Sequence, residues 1–207
     1  ENWLKPRAAS NAAARNFLVV AQVNDGAVAQ RSRGIVANPN CTTMAAMPVL
    51  GPLHRMAGLV RLHVSSYQAV SGSGAQGIAE LEEQVKAITS GQPFTPKVYP
   101  RQIAFNVIPQ VDVFLDNGYT KEEMKLVHET RKILGDDTIG ITATAVRVPV
   151  HGGHSESINV ELRQPFELDD VKAILAATPG LIIEDDLANN LYPMPLFAKN
   201  KDEVFVG

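Results

Sequence analysis

The sequence predicts an α/β (α+β) protein, a mixed β-sheet covered by helices. Three observations carry that prediction. Leu59-Val60-Arg61-Leu62-His63-Val64 alternates with the period of two of a half-buried strand. Ile78, Leu81, Val85 and Ile88 recur on one face of residues 77–89 at helical spacing. Thr120 and Glu123 stand as a capping box at the head of a helix over Thr120–Leu134.

The elements follow in chain order. Residues 1–16 are rich in Ala and Asn and read as a short helix or a disordered lead. Phe17 to Val23 reads as a buried strand stopped by Asn24-Asp25-Gly26, and Gly34 to Ala37 as a second short one. Asn38-Pro39-Asn40-Cys41-Thr42-Thr43, followed by the apolar stretch Met44 to Leu53, marks a helix start and puts Cys41 near its N-terminus. The strand at 59–64 leads to a Ser/Gly loop, Ser71-Gly72-Ser73-Gly74, and then to the amphipathic helix at 77–89. Residues 90–101 are a loop punctuated by Pro and Gly, and Ile103 to Ile108 reads as a strand ended by Pro109.

In the helix over Thr120–Leu134, Met124, Val127 and Leu134 share the apolar face. Glu122, Lys125, Glu129 and Lys132 form a solvated charged one. Residues 139–150 and 156–163 are β-rich, and His151-Gly152-Gly153-His154 between them suggests a hairpin. A helix over 167–177, a short strand Leu181-Ile182-Ile183 and an irregular remainder complete the chain.

At 207 residues the chain is long enough to bury a substantial core. Its formal net charge of −3 provides no basic field, so neither nucleic acid nor a membrane surface is expected as a partner. No apolar run approaches the ~18 residues that span a bilayer. Cys41 is the single cysteine, which removes disulfide frameworks and multi-thiolate metal sites within the chain. No metal is expected. A lone thiol suits a reducing, cytoplasmic setting and leaves a nucleophile as the chemical option.

A thiolate at a helix N-terminus is stabilised by free N–H groups and the helix dipole, and the same N–H groups can hold an oxyanion. A buried core thiol is the alternative. Among the histidines, His128 reads as solvated and His63 as structural, while His151 and His154 flank two glycines in a turn. Gly72 to Gly77 matches G-x-G-x-x-G, but a Pro-rich loop stands where the dinucleotide fingerprint needs a second strand and an acidic residue. Arg147 lies on a strand beside Ala143 and Ala145, with room to grip a carboxylate or phosphate.

Four strings, in order and spacing, resemble the aspartate-β-semialdehyde dehydrogenase family. They are Gly34-Ile35-Val36-Ala37-Asn38-Pro39-Asn40-Cys41-Thr42-Thr43, Ser65-Ser66-Tyr67-Gln68-Ala69-Val70-Ser71-Gly72, Arg131-Lys132-Ile133-Leu134, and Val146-Arg147-Val148-Pro149-Val150-His151-Gly152-Gly153-His154-Ser155-Glu156-Ser157. The resemblance implies an NADP-dependent enzyme that interconverts aspartate semialdehyde plus phosphate with aspartyl phosphate, in lysine, methionine and threonine synthesis.

Residue by residue it implies Cys41 as nucleophile, Gln68 orienting the acyl intermediate and His154 as general acid/base. Arg147 would bind the substrate carboxylate, Glu122 its amino group, and Lys125 and Asn40 the phosphate. Ser71, Gly72, Ser73 and Gly74 would lie against the nicotinamide end of NADP. It implies a homodimer or homotetramer. Residues 1–40 would be a remnant of the Rossmann-like NADP-binding domain and 41–207 the catalytic and dimerisation domain, incomplete at its C-terminal end.

The family's phosphate-binding arginine before the first matched strand is not reproduced; spacing puts Asn11 there, and neither Arg7 nor Arg15 fits. A related acyl-phosphate or malonyl-type acyl-CoA reductase, and an inactive dimerisation module, are the alternatives.

Overall fold

The computed structural model describes residues 18–30 and 34–207, so the lead over 1–16, with Arg7, Asn11 and Arg15, lies outside the described residues. The helix expected after Asn40 is α1, Cys41–Ala57. Asn40 caps it, its side-chain oxygen accepting from the Thr42 amide. Gly58, at φ 70°, turns the chain out of α1 by returning its N–H to His54 O.

The expected strand at 59–64 is longer, β1 Leu59–Gln68. Then come α2 (Gly74–Thr89), α3 (Lys121–Leu134), β2 (Gly140–Arg147), β3 (Ser155–Leu162), α4 (Leu168–Ala176), β4 (Leu181–Ile183), α5 (Pro195–Ala198) and β5 (Val204–Val206). The fold is the expected mixed sheet with helices.

β1 is the centre of the three-stranded sheet, in the order β2-β1-β3. It runs parallel to β2, with Gln68 opposite Arg147, and antiparallel to β3, with Tyr67 opposite Ser155. Residues 139–150 and 156–163 therefore do not form the expected hairpin. β2 and β3 have the opposed directions of one, but β1 lies between them. The connection 148–154 instead crosses the exit of β1. Val148 N donates to Gln68 O at 3.0 Å, and Val70 and Ser71 donate to the carbonyls of Val150 and His151.

α1 and α3 cover one face of this sheet. Met47 and Leu50 from α1, Leu62 and Val64 from β1, Leu126 from α3 and Ala143 from β2 form the principal core. The other face, with Arg61, His63 and Tyr67 of β1 and Ser157, Asn159 and Glu161 of β3, is exposed. His63 is thus not a buried structural residue.

Three further strand expectations fail. Across Phe17–Val23 and Gly34–Ala37, the described residues show a single bridge between Leu18 and Ala37. Residues 103–108 are held instead by α2, where Gln84 Oε1 accepts from Ile103 N at 2.8 Å and Ala104 N at 3.1 Å. Phe105 turns at φ 58°, and Ile108 keeps one bridge to Arg147. Conversely, the remainder expected to be irregular contains β5, which pairs in parallel with β4. No described helix is long and apolar enough to cross a membrane.

On α3 the capping box forms as expected. Its buried face, however, is Glu122, Leu126, Val127, Thr130 and Ile133. The charged face read as solvated is therefore turned inward at Glu122.

Candidate active site

The C-terminal ends of β1 and β2, the start of β3 and the N-terminus of α1 meet, and this meeting gathers the residues singled out by sequence. Asn40 is held through both its main chain and its side chain. Its side-chain Oδ1 accepts from Thr42 N (3.1 Å) and Thr42 Oγ1 (2.6 Å), and its Nδ2 donates to Glu122 Oε1 at 2.8 Å. Its own N–H donates to Glu129 Oε2 at 2.7 Å, and its carbonyl accepts from Met44 N.

Cys41, the first residue of α1, is exposed. Desolvation by the groups crowded around it pushes the thiol above its ordinary value, and the Glu122 charge pushes the same way. The N–H groups of Thr42 and Cys41 and the Arg147 charge pull it down. The helix N-terminus therefore does not by itself make a resting thiolate.

Glu122 is only 6% exposed, yet both of its oxygens have partners. Its Oε1 accepts from Asn40 and from Gln68 Nε2 at 3.2 Å, and its Oε2 from Lys125 Nζ at 3.1 Å. Gln68, buried at the last position of β1, also donates to Ser66 Oγ. Lys125 reaches a second carboxylate, Asp112 Oδ2, at 3.4 Å. Desolvation pulls the Lys125 ammonium down, but the hydrogen bonds and charges of Glu122 and Asp112 outweigh it and raise its pKa.

Arg147 and His154 hold the two successive peptide groups that flank the Ala69 Cα. Arg147 is the last residue of β2, and its Nη1 donates to Ala69 O at 2.8 Å. Ala69 N donates to His154 Nδ1 at 3.0 Å. With Nδ1 an acceptor, the neutral ring carries its proton on Nε2. Burial first, and the Arg147 charge second, lower the His154 pKa, with Glu122 opposing. The imidazole is thus neutral at pH 7, with Nδ1 engaged by Ala69.

Gly72 lies against both residues: a Cβ there would come within 2.8 Å of Arg147 Nη1 and 3.4 Å of His154 Nε2. The glycines of the G-x-G-x-x-G match have separate structural reasons. Gly74 opens α2 at φ 75°, and a Cβ on Gly77 would meet Val70 O at 2.5 Å. Ser71, Gly72 and Gly74 are exposed, Gly72 lies against His154, and Gly74 faces open space.

His128 stays exposed on α3, His151 faces Glu82 at 3.5 Å, and His54 Nδ1 accepts from Leu59 N. None of the three joins the cluster. Among the described residues no group of His, Cys, Asp and Glu could hold a metal.

Four carboxylates make contacts that the sequence did not disclose. Glu129 holds Asn40, and Asp112 holds Lys125. Glu123 ties α3 to β2 by accepting from Ala145 N at 2.9 Å. Glu156 has both oxygens shielded from solvent and without a hydrogen-bond partner. It faces a groove of about 510 Å³ walled by Ala45 and Val49 of α1, Ile158 of β3 and Val206 of β5. The seven-residue step from Glu122 to Glu129, two helical turns, is the one signal that could have exposed Glu129.

Fold and site together describe an α/β domain that assembles one thiol, a neutral imidazole, an arginine and a buried carboxylate–ammonium pair at the end of its central strand. The family model described as "Semialdehyde dehydrogenase, dimerisation domain" matches residues 50–207. An aspartate-semialdehyde dehydrogenase of Shewanella sp. (strain DB6705) is 50% identical over 192 residues, covering 92% of this chain and 56% of the relative. The Aquifex aeolicus enzyme of the same name is 48% identical over 193 residues, with the same coverage. The crystal structure of aspartate semialdehyde dehydrogenase II complexed with ASA, from Vibrio cholerae, superposes with a TM-score of 0.87 at 44% identity, over 92% of this chain and 56% of that one. The chain belongs to the aspartate-semialdehyde dehydrogenase family. It spans a little over half the length of the relatives it matches.

Proposed function

We propose that this chain is the catalytic and dimerisation part of an NADP-dependent, phosphorylating aspartate-semialdehyde dehydrogenase. Residues 41–207 form that part, and residues 1–40 are the end of the nucleotide-binding domain. The reaction interconverts L-aspartate 4-semialdehyde and L-4-aspartyl phosphate, in lysine, methionine and threonine biosynthesis. The observation that carries the reading is the Glu122 carboxylate, which joins Asn40, Gln68 and Lys125 beside the single thiol.

In the oxidative direction the Cys41 sulfur adds to the aldehyde carbonyl, and the thiol proton passes to His154 Nδ1, which gives up its hydrogen bond from Ala69 N to accept it. The raised thiol and lowered imidazole start as a neutral pair, so proton transfer accompanies attack and no standing ion pair is needed. The α1 N-terminus offers N–H groups to the developing oxyanion. Ser71, Gly72, Ser73 and Gly74 would hold the nicotinamide end of NADP, which would supply the hydride acceptor or donor. Gln68 holds the acyl group that stays on Cys41 as a thioester. Arg147 binds the substrate carboxylate, and Glu122 its ammonium. Lys125 and Asn40 bring phosphate to the thioester carbonyl, and the thiolate leaves.

The uncovered face of the β2-β1-β3 sheet suits a second copy of the chain. Phe105, Val107, Val113 and Phe114, all more than half exposed, lie close in sequence to Ile108, which bridges to Arg147 at the edge of this sheet, and add apolar surface there.

Substituting Cys41→Ala in protein made from the complete coding sequence should abolish NADP reduction with aspartate semialdehyde and phosphate. Retained activity would overturn the reading.

A further inference from the structure

Glu129 has no part in the steps above, yet it makes one of the shortest side-chain contacts near the thiol. It sits two turns beyond Glu122 on α3 and accepts from the Asn40 N–H at 2.7 Å, across 89 residues of chain. Glu122 meanwhile accepts from the side chain of the same asparagine. A carboxylate acceptor makes such a hydrogen bond stronger than a neutral one. The donor is an N–H that α1 itself cannot use, because Asn40 precedes the first helical residue.

We propose that Glu129 is a positioning residue for Cys41. With Glu122 it forms a two-point clamp on Asn40, one point on the main chain and one on the side chain. The clamp fixes the turn from which α1 and its thiol start. One attachment would leave the turn free to pivot about the Asn40 side chain; two fix its place and its orientation. Glu129 touches neither the thiol nor the reacting atoms. It acts through Asn40, whose Oδ1 caps the Thr42 N–H.

That turn geometry reaches the chemistry in two ways. The N–H groups of Cys41 and Thr42 are the backbone donors that favour the thiolate. The same asparagine sets the distance from Cys41 to Glu122 and Gln68. Displacement of a reacting atom by about 1 Å can cost on the order of 100-fold in rate.

The proposal rests on Cys41 as nucleophile, so the test carries one readout that does not depend on turnover. Cys41 is the only cysteine, and iodoacetamide alkylation therefore reports it alone. Glu129→Ala should move the pH midpoint of alkylation upward. It should also lower kcat about 10-fold or more while the KM for aldehyde and phosphate changes less than about threefold. Glu129→Gln keeps an oxygen acceptor and should restore most of both. If Glu129→Ala does not fold, Glu129→Asp, which withdraws the carboxylate by one methylene, carries the same expectation.

A wild-type midpoint and kcat in the alanine or aspartate variant, with only a lower Tm, would overturn the proposal. So would a glutamine variant as impaired as the alanine one. Failure of the nucleophile reading would show separately, as activity in Cys41→Ala.

Discussion

Glu122 and Glu156 are both carboxylates shut away from water, and they meet opposite conditions. Glu122, on α3, receives hydrogen bonds from Asn40, Gln68 and Lys125. Glu156, on β3, receives none. Burial alone pushes the Glu156 carboxyl up to about 8, so at neutral pH it is mostly protonated. Burial by itself thus does not build a charged site in this fold; convergent donors do. They converge at Glu122 because four elements end there, whereas Glu156 looks from a strand face into a groove with apolar walls.

The strongest way to break the comparison is to remove the served carboxylate. Glu122→Ala leaves the Asn40 and Gln68 amides and the Lys125 ammonium without their shared acceptor. Urea unfolding should show a loss of about 3 kcal/mol, as for a broken buried pair. Turnover should fall by at least 100-fold. A stable, active Glu122→Ala protein would mean that the three donors are satisfied elsewhere.

An effect confined to stability should come from Glu156, and its sign is opposite to that of a salt-bridged carboxylate. Its folded pKa is raised from 4.5 to about 8, so between these values the folded state binds the extra proton. Stability from this group is complete below about pH 4.5 and is lost as pH rises through 8, on the order of 5 kcal/mol in total. Denaturant midpoints measured from pH 5 to 9 should fall with that slope in the parent, and the slope should flatten in Glu156→Gln. Identical pH profiles would show that Glu156 finds a partner in solution.

The two carboxylates also show what a sequence can and cannot disclose. α3 was legible because its determinants are local: the Thr120–Glu123 capping box, a helical period and Gly135 at the end. β1 was legible from its alternation. That Glu122 is buried was not legible, because Asn40 and Gln68 lie 82 and 54 residues away. The charged stripe of α3 has the pattern of a solvated face, and only the partners turn it inward.

The same limit explains the strands. β2 and β3 alternate as a hairpin would, and nothing near them tells that β1 passes between. Ile103 to Ile108 is apolar enough for a strand, but its N–H groups go to Gln84, 19 residues earlier. The resemblance supplied the membership of the site; the geometry added Glu129, Asp112, Glu123 and Glu156, each tied to its surroundings through contacts that spacing does not encode.

The central claim is that the single thiol carries the acyl group in a pocket whose charge is set by Glu122. Rapid acid quenching of protein from the complete coding sequence, mixed with aspartyl phosphate in the absence of reduced nucleotide, tests it most directly. Peptide mass mapping should find an aspartyl adduct on the Cys41 peptide that disappears when phosphate is added before the quench. An unmodified Cys41 peptide under these conditions, or an adduct on another residue, would contradict the account.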